Sequence, residues 1–558
     1  MKIIYKITVL FHLIGFSLQA QTLDWAVSRN FHTGYSFMPF DMKASNFSDA
    51  NYILGQYYKD SLISGVLFQV SPVFTFLSKV NTNGDTLWKW NNTTTATGVG
   101  SGMFPSAMAI DNDDNIYISG IYSMNAPGLT MSIGTTLMPT SPYYYGGFLA
   151  KFDSTGHIQW VRAISAPVNY NDLDIDINGN LYLLGNVQSS VTYGSTVIHT
   201  SASNLYRDFI ISYDSSGTLL WAKGYGEIDL TMTTISQKGA LLKLVVDKGA
   251  TPNIYAAGYF LTPYNAIGNT FTSAGAEDAL ILKLDNNGNY INGMQAGTAN
   301  PEVFYDMQIN EHSEIVLGTT YRYGTTINGT SATSTGWNTM LIKIDTLFNY
   351  KFVNNSILSA FEPAVAIDKY GRSALAVGDY FGNPTSTFDY LQVYDSTGTL
   401  IFTKSVTGAG TVNYANVNFR AVVFPKLFSN ELFIAGDYKP SMTIDVTTLT
   451  SVQSVNFDIA LIKFALPTNI TTGMNQLSVD NEITIYPNPF TSQTSINFAE
   501  QQTNTTIKIT NILGQVIKTI NFTGKQLKIY KAEMTAGIYF VQTTDEQKHI
   551  CNKKIIIQ

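Results

Sequence analysis

Three short acidic turns carry the residues of this chain best suited to chemistry. DNDDN at Asp111–Asn115, DINGN at Asp176–Asn180 and DNNGN at Asp285–Asn289 place hard oxygens close together, as calcium requires. All three lack the bidentate Glu that closes a full calcium loop. Asp, Asn and Gly are also what tight hairpin turns demand, because they tolerate positive φ and cap their own backbone. The turn reading is the stronger, and calcium is the one cofactor left open. Trp88, Trp160 and Trp221 offer faces on which a sugar could stack, yet they recur at one position of a repeated phrase, which points to packing between neighbouring units. The six histidines, at 12, 32, 157, 199, 312 and 549, fall into no metal-ligand spacing. There is no GxSxG elbow and no GxxxxGK[ST] phosphate loop, and the single cysteine, Cys551, has no partner in the chain. No catalytic residue and no metal site is assigned. Carboxylates brought together from different loops remain as a route to polysaccharide hydrolysis or elimination.

The elements that must position any such groups are repeated. FLSKVNTNGDTLW (Phe76–Trp88), LAKFDSTGHIQW (Leu149–Trp160), FIISYDSSGTLLW (Phe209–Trp221), LILKLDNNGNYIN (Leu280–Asn292), MLIKIDTLFNYKF (Met340–Phe352) and LQVYDSTGTLIF (Leu391–Phe402) are two strand-like runs around a polar turn. A second phrase alternates with the first and holds a glycine at 55, 120, 185, 258, 318, 378 and 436. A period of roughly 60 residues built from such hairpins signals a repeat array. Glycine kept inside a strand implies backbones crowding together. The last copy of the first phrase, DIALIKFA (Asp458–Ala465), stops before its turn, while LDWAV (Leu23–Val27) stands alone near the start. The missing half of the last repeat is therefore expected at the other end, closing a ring and removing exposed sheet edges. Ligand contacts are expected where copies differ, in long loops such as Ser123–Tyr145, with its Tyr triplet, and Leu261–Glu277.

These phrases resemble the bacterial β-propeller repeat, most closely in DALILKLDNNGN (Asp278–Asn289). The copies are worn: Phe348 replaces the turn glycine, and Asn292, Phe352 and Phe402 replace Trp. The resemblance implies an all-β, seven-bladed propeller over 21–467, closed by the amino-terminal strand. It implies a fold and no chemistry, since propellers host many activities.

The chain ends concern delivery. Lys2 and Lys6 with the apolar run Ile7–Leu18 have the layout of a secretory signal peptide over 1–20, cleaved between Ala20 and Gln21. The run is too short to span a membrane, and no other segment could do so. After a polar linker, 468–483, the pattern changes to short alternating strands of a compact sandwich. Tyr486, Pro487, Asn488 and Pro489, the NILGQ turn with Gly514, the run opened by Gly537, Ile538 and Tyr539, and the ending with Lys553 and Lys554 resemble the type A C-terminal sorting domain of the Bacteroidetes type IX secretion system, over 484–558. That resemblance implies the secretion machinery as a partner, removal of the sorting domain, and a mature protein released or attached to the outer-membrane surface.

A net charge of −7 with no basic run in the repeats disfavours nucleic acid. The expected function is a binding or interaction module for an extracellular glycan or protein, with an extracellular polysaccharide hydrolase or lyase as the alternative.

Overall fold

The computed structural model describes residues 23–29, 35–63, 66–69, 72–95, 100–124, 129–139, 145–187, 190–198, 205–229, 240–261, 263–355, 361–378, 388–409, 417–426, 430–451, 457–466, 483–511, 516–531, 534–544 and 550–558. The expected signal peptide with Ala20 and Gln21, Gly514, and all but the last residue of the expected linker lie outside these residues. Every named element is a β-strand, and among the described residues no helix is long and apolar enough to cross a membrane. The chain divides near residue 470 into two compact units.

In the first unit one arrangement recurs. Ser36–Ala44, Asn51–Tyr58, Phe74–Val80 and Thr86–Asn91 form a four-stranded antiparallel sheet in chain order. Six further sheets repeat that order, with first strands Gly102–Ile110, Val168–Ile175, Ala240–Val246, Glu302–Ile309, Phe361–Ile367 and Val417–Val423. The last takes its fourth strand from the far end of the chain: Leu23–Arg29 lies antiparallel to Asp458–Ala465, with Ala26 opposite Ile462. Its register reproduces the other copies, because Trp25 stands opposite Lys463 as Trp88 stands opposite Lys79. Each first strand packs on the first strand of the next sheet, and Val417–Val423 packs on Ser36–Ala44. Phe37, Tyr57, Phe433, Ile459 and Leu461 share one core across that last junction.

The sheets are apolar on both faces because each is covered by two neighbours. Second and third strands such as Ile254–Phe260 and Asp278–Leu284 are therefore almost wholly buried, without the in-and-out alternation of a half-exposed strand. Fully burying each large aliphatic side chain contributes about 1.5–3 kcal/mol. Fourth strands are the more exposed, as in Thr86–Asn91. Short hairpins from the neighbouring repeat protect some of their ends: Ser441–Ile444 pairs with Leu400–Ala409, and Met131–Ile133 pairs with Thr93–Thr94.

The second unit is built on a long hairpin, Gln493–Asn511 with Val516–Tyr530. Ile483–Tyr486 pairs with the first part of Gln493–Asn511, and Gly537–Thr544 with the second, followed by Ile550–Ile557. Phe490, Ile496, Phe498, Ile507, Ile509, Val541 and Ile555 form its core.

Candidate functional site

Every first strand of the seven sheets is interrupted by a β-bulge at one level. The pairing skips Phe40, Ser106, Asn171, Leu242, Tyr305, the pair Glu362–Pro363, and Arg420. A bulge inserts a residue without a partner, bends the strand and re-aims its side chain. Here six of the bulged residues and Pro363 line a single central cavity of about 390 Å³, which takes its wall from all seven first strands. Phe40 is its most exposed aromatic, at 42%.

The bulge explains the recurrent strand glycine. A Cβ on Gly55, Gly120, Gly185, Gly258 or Gly436 would lie 1.9–2.5 Å from a carbonyl oxygen of the bulged strand, Met38 O, Phe104 O, Asn169 O, Ala240 O or Asn418 O. The crowding expected from the sequence is therefore mostly within one sheet. Only at Gly318 and Gly378 does the next sheet make the nearest contact, through Val365 and Pro363 or through Asn418 and Phe419.

The polar wall of the cavity is largely paired. Arg420 Nε donates to Asp437 Oδ1 at 2.8 Å, and Asn418 Nδ2 donates to Asp437 Oδ2 at 2.8 Å. The buried Asn418 Oδ1 has no hydrogen-bond partner among the described residues. Asn171 Nδ2 donates to Leu241 O at 2.8 Å. Lys243 Nζ lies 3.5 Å from Asp306 Oδ1.

Carboxylates just past the bulges hold neighbouring sheets together. Asp41 Oδ2 accepts from Met108 N–H at 3.0 Å, Asp172 Oδ2 from Leu244 N–H at 2.9 Å, and Asp306 Oδ2 from Val365 N–H at 2.8 Å. The other oxygen of each accepts from the N–H of the following residue. Burial pushes Asp172 up to about 6, with Lys243 and Lys43 offsetting part of the shift. Burial works against the charges of Lys43 and Lys243, but Asp41 and Asp172 outweigh it and hold both above the ordinary lysine value. Each of these acids is committed to joining sheets, which leaves it poorly suited to proton transfer.

The groups singled out in the sequence fall elsewhere. In the acidic turns the carboxylates are filled from within: Asp111 Oδ1 accepts from the N–H groups of Asp113 and Asn115, and its Oδ2 from Asn115 Nδ2 and the Tyr117 hydroxyl. Asp176 repeats this pattern, and Asp285 repeats it without the tyrosine. Trp88, Trp160 and Trp221 lie over the turn glycines Gly156, Gly217 and Gly288 of the next sheet and donate Nε1–H to Ser154 O, Ser215 O and Asn286 O. They are latches between repeats. The long loops supply outer hairpins, such as Tyr264–Ala266 with Asn269–Phe271, and none of their described residues lines the cavity; 125–128, 140–144 and 262 lie outside the described residues. The bulge residues carry no shared residue type and were missed. The available signal was a break in strand alternation a short way ahead of each strand glycine.

In the second unit the two ends of the motif set meet. Asn488 Oδ1 accepts from Ile556 N–H at 2.8 Å, Phe490 N–H donates to Ile556 O at 3.0 Å, and Gln558 N–H donates to Phe490 O at 2.8 Å. Thr494 Oγ1 donates to Pro487 O at 2.6 Å. Gly537, Ile538 and Tyr539 pair with Ile557, Ile556 and Ile555, and the backbones of Lys553 and Lys554 pair with Val541 and Phe540. The Tyr539 hydroxyl donates to Thr535 O at 3.0 Å, whereas Tyr486 is 77% exposed.

Residues 484–558 match the family described as the secretion system C-terminal sorting domain. An uncharacterized WD repeat-containing protein of Acanthamoeba polyphaga mimivirus is 23% identical over 201 residues, 34% of this chain; the match spans 14% of that relative's length. Among solved structures, the polysaccharide lyase Uly1 has a TM-score of 0.41 at 10% identity, covering 80% of this chain and 100% of that one. The β-propeller domain of the Trilobed protease from Pyrococcus furiosus has a TM-score of 0.35 at 8% identity, covering 78% and 98%. The protein is an all-β repeat protein with β-propellers among its structural neighbours, and its residues 484–558 match the secretion system C-terminal sorting domain, which indicates a secreted or cell-surface-attached protein.

Proposed function

We propose that the chain is an exported binding module. Its residues 21–467 form a ring of seven blades closed by Leu23–Arg29, and its ligand, an extracellular glycan or protein, is held in the central cavity. Residues 484–558 form a sandwich that the secretion machinery reads and that is removed after the linker 468–483, with Tyr486–Pro489, Gly537–Tyr539, Lys553 and Lys554 as the recognised elements.

The observation that carries the binding reading is the contrast between scaffold and lining. One backbone device, the bulge, recurs in seven copies, yet it delivers Phe, Ser, Asn, Leu, Tyr, Pro and Arg to one cavity. Repetition serves the fold; the differences serve selection of a ligand. A hydrolase or lyase finds less support, because Asp41, Asp172 and Asp306 each have both oxygens engaged by backbone N–H groups.

A pulldown from surface extracts with the full chain and with a Phe40→Ala/Asn171→Ala double variant tests this. The expected result is a ligand retained by the parent and lost by the double variant at unchanged melting temperature; equal retention by both would exclude the cavity. Export is tested separately. Removal of 484–558 should leave the protein in the periplasm, and its appearance at the surface would contradict a sorting role.

A further inference from the structure

The cavity wall carries more acceptors and compensated pairs than net charge. Lys243 faces Asp306 at 3.5 Å and Arg420 faces Asp437 at 2.8 Å, so the two cations nearest the cavity are each balanced by a carboxylate. Just beyond, Lys43 lies 3.5 Å from Asp41, and Asp172 and Asp174 also interact with it. An anionic ligand would have to enter this field without a cation in excess.

The amide groups make a complementary demand. Asn418 lines the cavity at 6% exposure, and its Nδ2 is committed to Asp437. A carboxylate accepts only, so the amide orientation is forced and Oδ1 is the atom left without a donor among the described residues. Asn171 likewise spends an Nδ2 proton on Leu241 O, leaving its Oδ1 as an acceptor. Asn418 Oδ1 is itself closed off from the cavity, so Asn171 Oδ1 is the amide acceptor within a ligand's reach, and a ligand O–H satisfies it where a carboxylate ligand does not. Phe40 and Tyr305 add aromatic surface to the same wall. A volume of about 390 Å³ lies at the small end of ligand sites, which run from about 300 to 1,000 Å³. It is too small for an extended, folded partner.

We infer that the cavity takes a neutral saccharide, either one sugar or the end of a chain, with a hydroxyl donating to Asn171 Oδ1 and others accepting from the Arg420 and Lys243 pairs, and with a ring face against Phe40 or Tyr305. This rests on the binding reading given above and names its ligand class. Hydroxyls suit the site because each both donates and accepts.

Isothermal titration of the full chain tests it, using glucose, galactose, mannose and xylose with their disaccharides and tetrasaccharides, and the galacturonate and glucuronate counterparts. At least one neutral series should bind, its acidic counterpart should bind at least tenfold more weakly, and Phe40→Ala and Asn171→Ala should each weaken the neutral ligand tenfold or more. Phe40 is exposed, so its variant folds even if an Asn418→Ala variant does not. Tighter binding of the acidic series, still sensitive to Phe40→Ala, would overturn the ligand class and leave the cavity as the site. So would the absence of saccharide binding alongside a surface ligand that Phe40→Ala releases. Saccharide binding indifferent to both variants would overturn the ligand class and the cavity together.

Discussion

Asp208 is the residue whose burial has the clearest consequence in solution. It is fully buried; the Tyr264 hydroxyl donates to Oδ2 at 2.9 Å and Leu241 N–H at 3.1 Å, while Oδ1 has no partner among the described residues. Burial pushes its carboxyl up to about 7, and those two hydrogen bonds offset only part of the shift. An unfolded aspartate titrates near 3.9, so between about pH 4 and 7 the folded chain binds the extra proton. Stability from this group is then greatest at about pH 4 and falls as pH rises to 7. Thermal melts across that range should show the decline in the parent and a flatter profile in Asp208→Asn; parallel profiles would place the titration elsewhere. Asp285 behaves oppositely, being held below its ordinary value, because hydrogen bonds from Asn289 and Asn287 outweigh its burial. Because such bonds already fill Asp111, Asp176 and Asp285, a calcium chelator should leave the melting temperature unchanged, and a drop of several degrees would show that an ion holds the turns.

At the scale of elements, the latch between sheets accounts for two departures from the repeat. Asn292 stands opposite Lys283 where other copies have Trp, and Phe348 occupies the turn position of the next sheet where other copies have Gly. The two belong together. Without an indole above it, the turn accepts a side chain, and Phe348, at φ 66° and 8% exposure, fills the space and meets the Tyr255 ring edge-on at 6.3 Å. Phe348→Gly should cost about 2–3 kcal/mol, the lost burial outweighing the relief of a left-handed conformation. Asn292→Trp alone has no room. The double variant restores the usual pair and should be at least ~1 kcal/mol more stable than the sum of the two changes, a coupling read from a denaturation cycle. Additivity would mean that the two positions do not share a space. The hairpins and the split last repeat were legible in the sequence because turn chemistry and strand patterning repeat there residue by residue, and the carboxy-terminal domain because its pattern departs from that repeat. The bulges were not. A bulge is fixed by backbone register against the glycine-bearing strand, and any side chain can occupy it, so Phe40, Ser106, Asn171, Leu242, Tyr305 and Arg420 share no residue type to recognise.

For the molecule as a whole, the seventh sheet depends on residues that enter the chain first and complete it last. Leu23–Arg29 supplies its fourth strand, and Arg29 reaches the first sheet, donating to Gly84 O at 2.6 Å and pairing with Asp85 at 3.1 Å. Removing 21–29 should leave Asp458–Ala465 as an open edge, lowering the melting temperature and exposing the amides of the seventh sheet to hydrogen exchange first. Uniform exchange would mean that the strand adds little to closure. The seven first strands also line the cavity on which the binding account depends, and hydroxyl-radical footprinting of the full chain with its captured ligand reads that cavity directly. Ligand should protect Phe40 and Tyr305 while Phe47, Leu347 and Val446, which are exposed and lie outside the cavity lining, remain unchanged. Protection of those residues with Phe40 unaffected would contradict the account.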